Sequence, residues 1–200
     1  MKRLMTLAMA GAVALGAAAC SSDNNTQANP NSTAARDTGS AVGTSGTSAD
    51  TRFVDEQLAG GRAEVSLGEL AQQRATHPDV KSFAAMMVRD HTSAGTELKQ
   101  IAARTHTSAG KEADHDNHAN DVRDELMKLS GNDFDQKYIS EMVDDHEKDV
   151  KEVEDKAEHA DNPDVRAWAA KTLPTLRAHL EKAKAIKERL DHAGDSSKGS

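Results

Sequence analysis

The fold of this chain is decided by the stretch HPDVKSFAAMMVRDH, residues 77–91. A proline at the first helical position followed by an aspartate in the first turn is a typical helix start. The apolar residues after it recur at helical spacing, which predicts a helix with one packed face. The beginning of the stretch occurs again as NPDVRAWAA at residues 162–170, so that His77 corresponds to Asn162. Since each copy follows a short turn, the sequence predicts two helical hairpins.

Apolar residues at helical spacing predict four long helices and one short helix. We expect the first long helix to cover about residues 51–75 and the second to begin at Pro78. The short helix follows a polar, histidine-rich crossover, and Gly131 is expected to end it. Asp133 is the expected cap of the third long helix, and Pro163 the expected start of the last.

The expected fold class is all-α: a ferritin-like antiparallel four-helix bundle with a short extra helix in the crossover. The composition agrees, because only 2% of the residues are aromatic and sheet proteins depend on aromatic and β-branched residues. The formal net charge is −8. Binding to nucleic acid requires a basic surface, so we expect no nucleic-acid partner.

The start of the chain has the pattern of an export signal. Two basic residues precede an apolar run that is too short to favour a spanning helix, which predicts a signal peptide at residues 1–19. The run ends in Ala17-Ala-Ala-Cys20, and Cys20 is the only cysteine. This ending resembles a bacterial lipobox, in which the thiol is acylated, although Ala17 stands where leucine is usual. Ordinary cleavage after Ala19 is the alternative.

Residues 20–49 are rich in small and polar residues and predict a flexible tether. The folded domain is expected at residues 50–192, with a disordered tail at 193–200. With a lipid on Cys20, the tether would hold the domain in the periplasm, at the outer membrane. A secreted protein is the alternative. The membrane is therefore the expected partner, and the sequence identifies no protein partner.

Each long helix places one ionisable residue on or beside its apolar stripe. These residues are Glu64, His91, His146 and His179. Within each hairpin the two residues lie at equal distances from the turn, which is centred on His77 in the first hairpin and on Asn162 in the second. At 1.5 Å per residue, each lies about 20 Å from its turn. Aligned hairpins would therefore bring all four into one layer.

These four residues are the candidate metal ligands. Burial of ionisable groups is costly unless they are paired or bound to metal, and three imidazoles with one carboxylate suit one Zn, Cu or Fe ion. Asp90 and Asp145 are candidate outer partners of the ligands, and Met87 and Met142 could favour copper. The alternative is a buried hydrogen-bonded network without metal, in which the methionines are core residues.

Other chemistries have weaker support. A second acidic and histidine-rich group lies in the crossover: Glu112, Asp114, His115, Asp116 and His118. It contains the only Glu-x-x-His motif, which a di-iron ferritin centre needs on its helices. On the long helices, Val88 and Val143 stand three residues before His91 and His146, where a di-iron centre would need glutamate. The crossover group itself is expected to be a solvated loop. The motifs of common hydrolases and nucleotide-binding enzymes are absent from the sequence, and no catalytic residue is assigned.

The order of several motifs resembles one known family. The motifs are AEVxLGxLA (63–71), VKxFAxxMVxDH (80–91), GxxFDxxY (131–138), MVxxH (142–146) and LPxLxxHL (173–180). The pattern resembles the bacterial family of exported domains of unknown function numbered 4142, often labelled as outer membrane proteins, over about residues 51–190. Trp168 stands where the family commonly has Phe. The resemblance implies a ferritin-like bundle in the periplasm and supplies no activity.

The sequence thus predicts an exported, lipid-anchored bundle that binds a metal ion or a small partner. A structural or interaction lipoprotein of the cell envelope, without metal, is the competing function. A metal-dependent oxidoreductase is a third.

Overall fold

The part of the chain that the structure describes forms five helices and contains no strand. The computed structural model describes residues 47–107 and 115–198, with side chains over 47–107 and 118–192. The helices are α1 (Ser48–Arg74), α2 (Pro78–Thr105), α3 (His115–Lys128), α4 (Gly131–His159) and α5 (Pro163–Lys198). The predicted all-α class is confirmed. The predicted signal peptide, Cys20 and the tether up to residue 46 lie outside the described residues, as do residues 108–114 of the crossover.

The helix starts follow the predicted signals with one exception. α2 and α5 begin at Pro78 and Pro163 as predicted. Gly131 does not end the short helix but begins α4, because α3 already ends at Lys128. Gly131 has a φ of 60°, a left-handed conformation that glycine adopts without steric cost. Asp133, the predicted cap, therefore lies in the first turn of α4 instead.

Two helices extend past the expected domain borders. α1 begins at Ser48, where the Thr47 hydroxyl accepts a hydrogen bond from the Asp50 backbone N–H at 3.3 Å, a typical N-cap interaction. α5 ends at Lys198, which places residues 193–198 of the expected tail in helical backbone. None of the described helices combines the length and apolar character required to cross a membrane.

The helices pack as two hairpins that face each other. α1 packs mainly on α2 and α4 mainly on α5, while further contacts join α2 to α5 and α1 to α4. The start of α2 lies near the end of α5, where Asp79 pairs with Arg189 at 2.9 Å. Its other end lies near the start of α5, where Arg104 pairs with Asp164 at 3.3 Å. α2 and α5 are therefore antiparallel, and α3 packs on α1 in the connection between the hairpins.

Each hairpin turn is held by an aspartate from the other hairpin. Asp135 of α4 accepts hydrogen bonds from the Thr76 N–H and hydroxyl and from the His77 N–H, at 2.6–3.1 Å. Asp50 of α1 accepts one from the Asn162 N–H at 2.8 Å. The two aspartates are separated along the chain by the same number of positions as His77 and Asn162. The sequence repeat therefore extends to the contacts that fix the hairpins relative to each other.

Apolar side chains form two clusters at different heights along the helices. The cluster near the α1–α2 turn contains Phe83 and Tyr138, with ring centroids 6.4 Å apart. The cluster near the α4–α5 turn contains Phe53 and Trp168, with ring centroids 6.1 Å apart. Both ring pairs meet edge to face, an arrangement that aromatic pairs favour. The two clusters leave a layer between them that polar residues occupy.

Gly68 permits a close approach of α1 to α2 next to this layer. A Cβ at this position would lie 2.9 Å from Val88 Cγ2 and 3.2 Å from the Ala84 carbonyl oxygen. A glycine inside a helix costs roughly 1 kcal/mol relative to alanine, and the close packing of the two helices offsets that cost.

Replacement of Asp135 by alanine should destabilise the protein by about 2–4 kcal/mol, because the substitution removes a charged acceptor shared by three donors. Urea unfolding followed by circular dichroism measures the change. Asp133→Ala, at an exposed position in the same turn of α4, is the control and should cost less than about 1 kcal/mol. Equal losses in the two variants would contradict the role of Asp135 in holding the turn.

Candidate metal centre

The four predicted residues meet in the layer between the two apolar clusters. The exposed fraction is 4% for Glu64, 9% for His91, 0% for His146 and 2% for His179. Each comes from a different long helix, so the equal distances from the turns place them at the same height. The structure therefore brings together all four side chains that the sequence singled out.

The three imidazole rings form a triangle. Each pair of ring centroids is 5.4 Å apart, and His146 Nε2 lies 3.3 Å from His179 Nδ1. One nitrogen from each ring lies within 4.8 Å of the other two. Metal–nitrogen bonds in proteins are about 2 Å long, so a small rotation of the rings would allow all three nitrogens to reach one ion.

Carboxylates contact two of the rings on one nitrogen each. Glu64 Oε2 lies 2.7 Å from His91 Nδ1, and Asp90 Oδ2 lies 3.0 Å from His179 Nε2. Arg89 holds Asp90 through two hydrogen bonds of 2.8 and 3.0 Å. A carboxylate keeps the ring proton on the nitrogen that it contacts and leaves a lone pair on the other. With Glu64 ionised, the lone pairs are then on His91 Nε2 and His179 Nδ1.

The sequence predicted Asp90 and Asp145 as partners of the metal ligands, and the structure shows a partly different set of acidic residues around the rings. Asp90 does contact a histidine, as expected. The Asp145 carboxylate lies 3.6 Å from Lys148 Nζ, and its charge helps to raise the pKa of the nearby Glu64, so its role as an outer partner stays a prediction. Asp149, which the sequence reasoning missed, groups with Glu64 and His146 within 4.8 Å. The repeat could have predicted Asp149 as a site residue. Glu64 and Asp149 are separated by the same number of positions as His77 and Asn162.

The remaining candidates lie away from the triangle or beyond the described side chains. Met87 and Met142 belong to the apolar cluster near the α1–α2 turn. Of the crossover group, His118 has a described side chain and is exposed.

Two cavities open beside the layer. The first, about 220 Å³, reaches His91 and His179 from the side of α1, α2 and α5. The second, about 430 Å³, lies between α1, α3 and α4 and is bordered by Asp145. Glu64 and Asp149 border both. The buried layer can therefore be reached by small solutes from two sides.

A sequence model described as "Domain of unknown function (DUF4142)" matches residues 35–186. The chain belongs to this family. The resemblance drawn from the motifs is thereby confirmed. Comparisons with curated proteins and with solved structures give no significant match. Since the family description carries no activity, the function of this DUF4142 chain must be argued from its site.

Burial keeps the histidines of this DUF4142 domain neutral. It lowers the pKa of His146 to about 4 and also lowers the pKa values of His91 and His179. Burial raises the pKa of Glu64 to about 7, although the nearby His146 opposes this shift. Burial also raises the pKa of Asp149 well above its ordinary value. Because metal ions bind neutral imidazole, the three rings are in the ligating form at neutral pH.

The metal-free protein should lose stability through Glu64 as the pH rises. Glu64 ionises near pH 4.5 when unfolded and near pH 7 when folded. The contribution of Glu64 to the free energy of unfolding is therefore complete below pH 4.5 and is lost as the pH rises through 7. The total loss is about 3 kcal/mol. Urea unfolding with chelator present, compared with Glu64→Gln at each pH, isolates this contribution from that of the histidines.

The matched control is Glu69→Gln, at an exposed position on the same helix. Its stability relative to wild type should stay nearly constant between pH 4.5 and 7.5. A difference between wild type and Glu64→Gln that also stays constant would refute the elevated pKa.

Proposed function

We propose that this chain is an exported, lipid-anchored, ferritin-like four-helix bundle that binds one transition metal ion through His91, His146 and His179. The observation that carries the proposal is the buried triangle of imidazole rings with 5.4 Å between centroids. Three neutral imidazoles suit Zn²⁺, Cu²⁺ or iron better than Mg²⁺ or Ca²⁺, which prefer oxygen ligands.

The hydrogen bonds of the rings assign the ligand atoms. With Glu64 on Nδ1 of His91 and Asp90 on Nε2 of His179, the ion is bound by His91 Nε2 and His179 Nδ1. His146 contributes Nε2, which lies next to the His179 nitrogen. Glu64, the expected fourth ligand, acts in this proposal as the hydrogen-bond partner of His91. The fourth position is then open to water or a small ligand from the first cavity, as in three-ligand zinc sites.

The polar atoms of the layer favour metal binding over a purely structural role. Among the described side chains, Glu64 Oε1, His91 Nε2 and His146 Nδ1 are buried without a hydrogen-bond partner. Each buried unsatisfied group costs about 1–3 kcal/mol. A structural lipoprotein would gain stability from apolar residues at these positions, whereas a bound ion would satisfy His91 Nε2 directly.

The helix connections support the ferritin-like arrangement. The α1–α2 hairpin and the α4–α5 hairpin are each joined by a short turn, and the connection that contains α3 runs from the end of α2 to the start of α4. Two hairpins joined by one long crossover is the connectivity of ferritin-like bundles. We assign no catalytic residue, and oxidoreductase activity would need turnover at the open position.

Protein purified from its native envelope should contain at least one metal ion per chain by elemental analysis, and His179→Ala should contain one ion fewer. Added ion at 100 times its Kd should stabilise the metal-free wild type by about 2.7 kcal/mol, and chelator should reverse this. His159→Ala removes an exposed imidazole from α4 and should behave as wild type. Absence of uptake for every first-row metal, or equal uptake by His179→Ala, would refute the metal site.

Cys20→Ser should move the protein from the membrane fraction to the soluble periplasmic fraction. With a net charge of −8, the chain has no general electrostatic attraction to anionic lipid, so attachment depends on acyl chains at Cys20. Mass spectrometry of the wild type should show an acylated Cys20 as the first residue. An unmodified Cys20 after cleavage at Ala19 would reject the anchor.

A further inference from the structure

We propose that the chain carries a second cation site, formed by Glu64, His146 and Asp149, which shares the His146 ring with the three-histidine site. One ligand atom from each of the three residues lies within 4.8 Å of the other two. The inference rests on the proposed function, because the first site uses the other nitrogen of the same ring. It adds two carboxylates as donors, together with the second nitrogen of His146.

Glu64 has one carboxylate oxygen available for this site. Its Oε2 is occupied by His91 Nδ1 at 2.7 Å. Its Oε1 lies 3.3 Å from His146 Nδ1, but the two atoms are not aligned for a hydrogen bond. Within the described part of the chain neither atom has another hydrogen-bond partner, and both are fully buried. Two unpartnered polar atoms that face each other next to Asp149 are what a bound cation would satisfy.

The two nitrogens of His146 face different partners. Nε2 lies 3.3 Å from His179 Nδ1, and Nδ1 lies 3.3 Å from Glu64 Oε1. With an ion on Nε2, the remaining ring proton is on Nδ1. A second cation would replace that proton: the N–H bond breaks, its electron pair binds the cation, and the proton leaves to solvent. The ring then binds both ions as a singly negative imidazolate.

The donor set indicates which cation the second site takes. Two carboxylates and one ring nitrogen form a harder, more negative set than three imidazoles, so the site suits a divalent first-row ion such as Mn²⁺, Fe²⁺ or Zn²⁺. The carboxylates of Glu64 and Asp149 also balance the charge of the ion, which is necessary in a buried position.

The second cavity gives a cation access to this site. It has a volume of about 430 Å³ and borders both Glu64 and Asp149. Asp145 and Glu152 also border it, as does Lys148, which lies 3.6 Å from the Asp145 carboxylate. Acidic side chains along a cavity raise the local concentration of cations. The first cavity contains His91 and His179, so each site has a cavity beside its ligands.

Copper titration of the full mature chain tests the proposal, because Cu²⁺ is the divalent first-row ion that such sites bind most tightly. Wild type, stripped of metal, should bind two Cu²⁺ ions per chain. The first should give the full paramagnetic resonance signal of one isolated ion. The second should reduce the integrated signal, because two Cu²⁺ ions on one imidazolate couple antiferromagnetically.

Asp149→Asn is the decisive variant, since asparagine has nearly the size of the aspartic acid and preserves the packing. It should bind one Cu²⁺ per chain and keep the full signal. Asp144→Asn, at an exposed position on the same helix, should behave as wild type. Circular dichroism of the metal-free variants checks that both are folded.

The outcomes separate the two proposals. If wild type binds one ion and Asp149→Asn is unchanged, the second site is refuted while the three-histidine site stands. If wild type binds no more Cu²⁺ than His179→Ala does, the three-histidine site is refuted, and equal binding by Asp149→Asn as well would refute the second site. A second ion that adds an uncoupled signal would overturn the assignment of His146 to both sites.

Discussion

The contact between Glu64 and His91 sets the relative positions of the helices in the middle of the molecule. Its 2.7 Å distance joins α1 to α2, and the second oxygen of Glu64 lies 3.3 Å from His146 on α4. From there His146 reaches His179 on α5, which in turn contacts Asp90 on α2. These polar contacts have a fixed geometry, whereas the apolar clusters on either side tolerate small shifts. A sliding of any one helix would therefore break the connected layer first.

This layer reduces the stability that the helices could otherwise reach. A domain is typically stable by only about 5–15 kcal/mol, and each buried unsatisfied polar atom costs about 1–3 kcal/mol. Replacement of buried ionic groups by well-packed apolar residues is often neutral or stabilising. A glutamate and three histidines between two apolar clusters therefore support the proposed binding of an ion more than a contribution to folding.

The sequence predicted the height of each site residue but not the direction of every side chain. Short turns make the register of a hairpin predictable, because residues at equal distances from the turn must face each other. The same reasoning does not distinguish Asp90 from Asp145, since each directly precedes a histidine. Asp90 faces α5 and meets His179, while Asp145 lies on the side of α4 that borders the second cavity. The neighbouring helices decide this, and local spacing contains no information about them. Which nitrogen of each histidine is free to bind a metal depends on the same contacts between neighbouring helices.

The internal repeat separates what the fold needs from what the site needs. The turns and the aspartates that hold them occur in both halves, and Glu64 corresponds to Asp149 in the same way. The histidines do not follow the repeat: the positions equivalent to His146, His179 and His91 are Gly61, Ala94 and Leu176. All three equivalents border the first cavity. The hairpins can thus be packed without imidazoles at these positions, and the small residues Gly61 and Ala94 leave open space beside the ring triangle. Since packing alone requires no histidine at this height, the imidazoles support the proposed metal site, whose open position would face the first cavity.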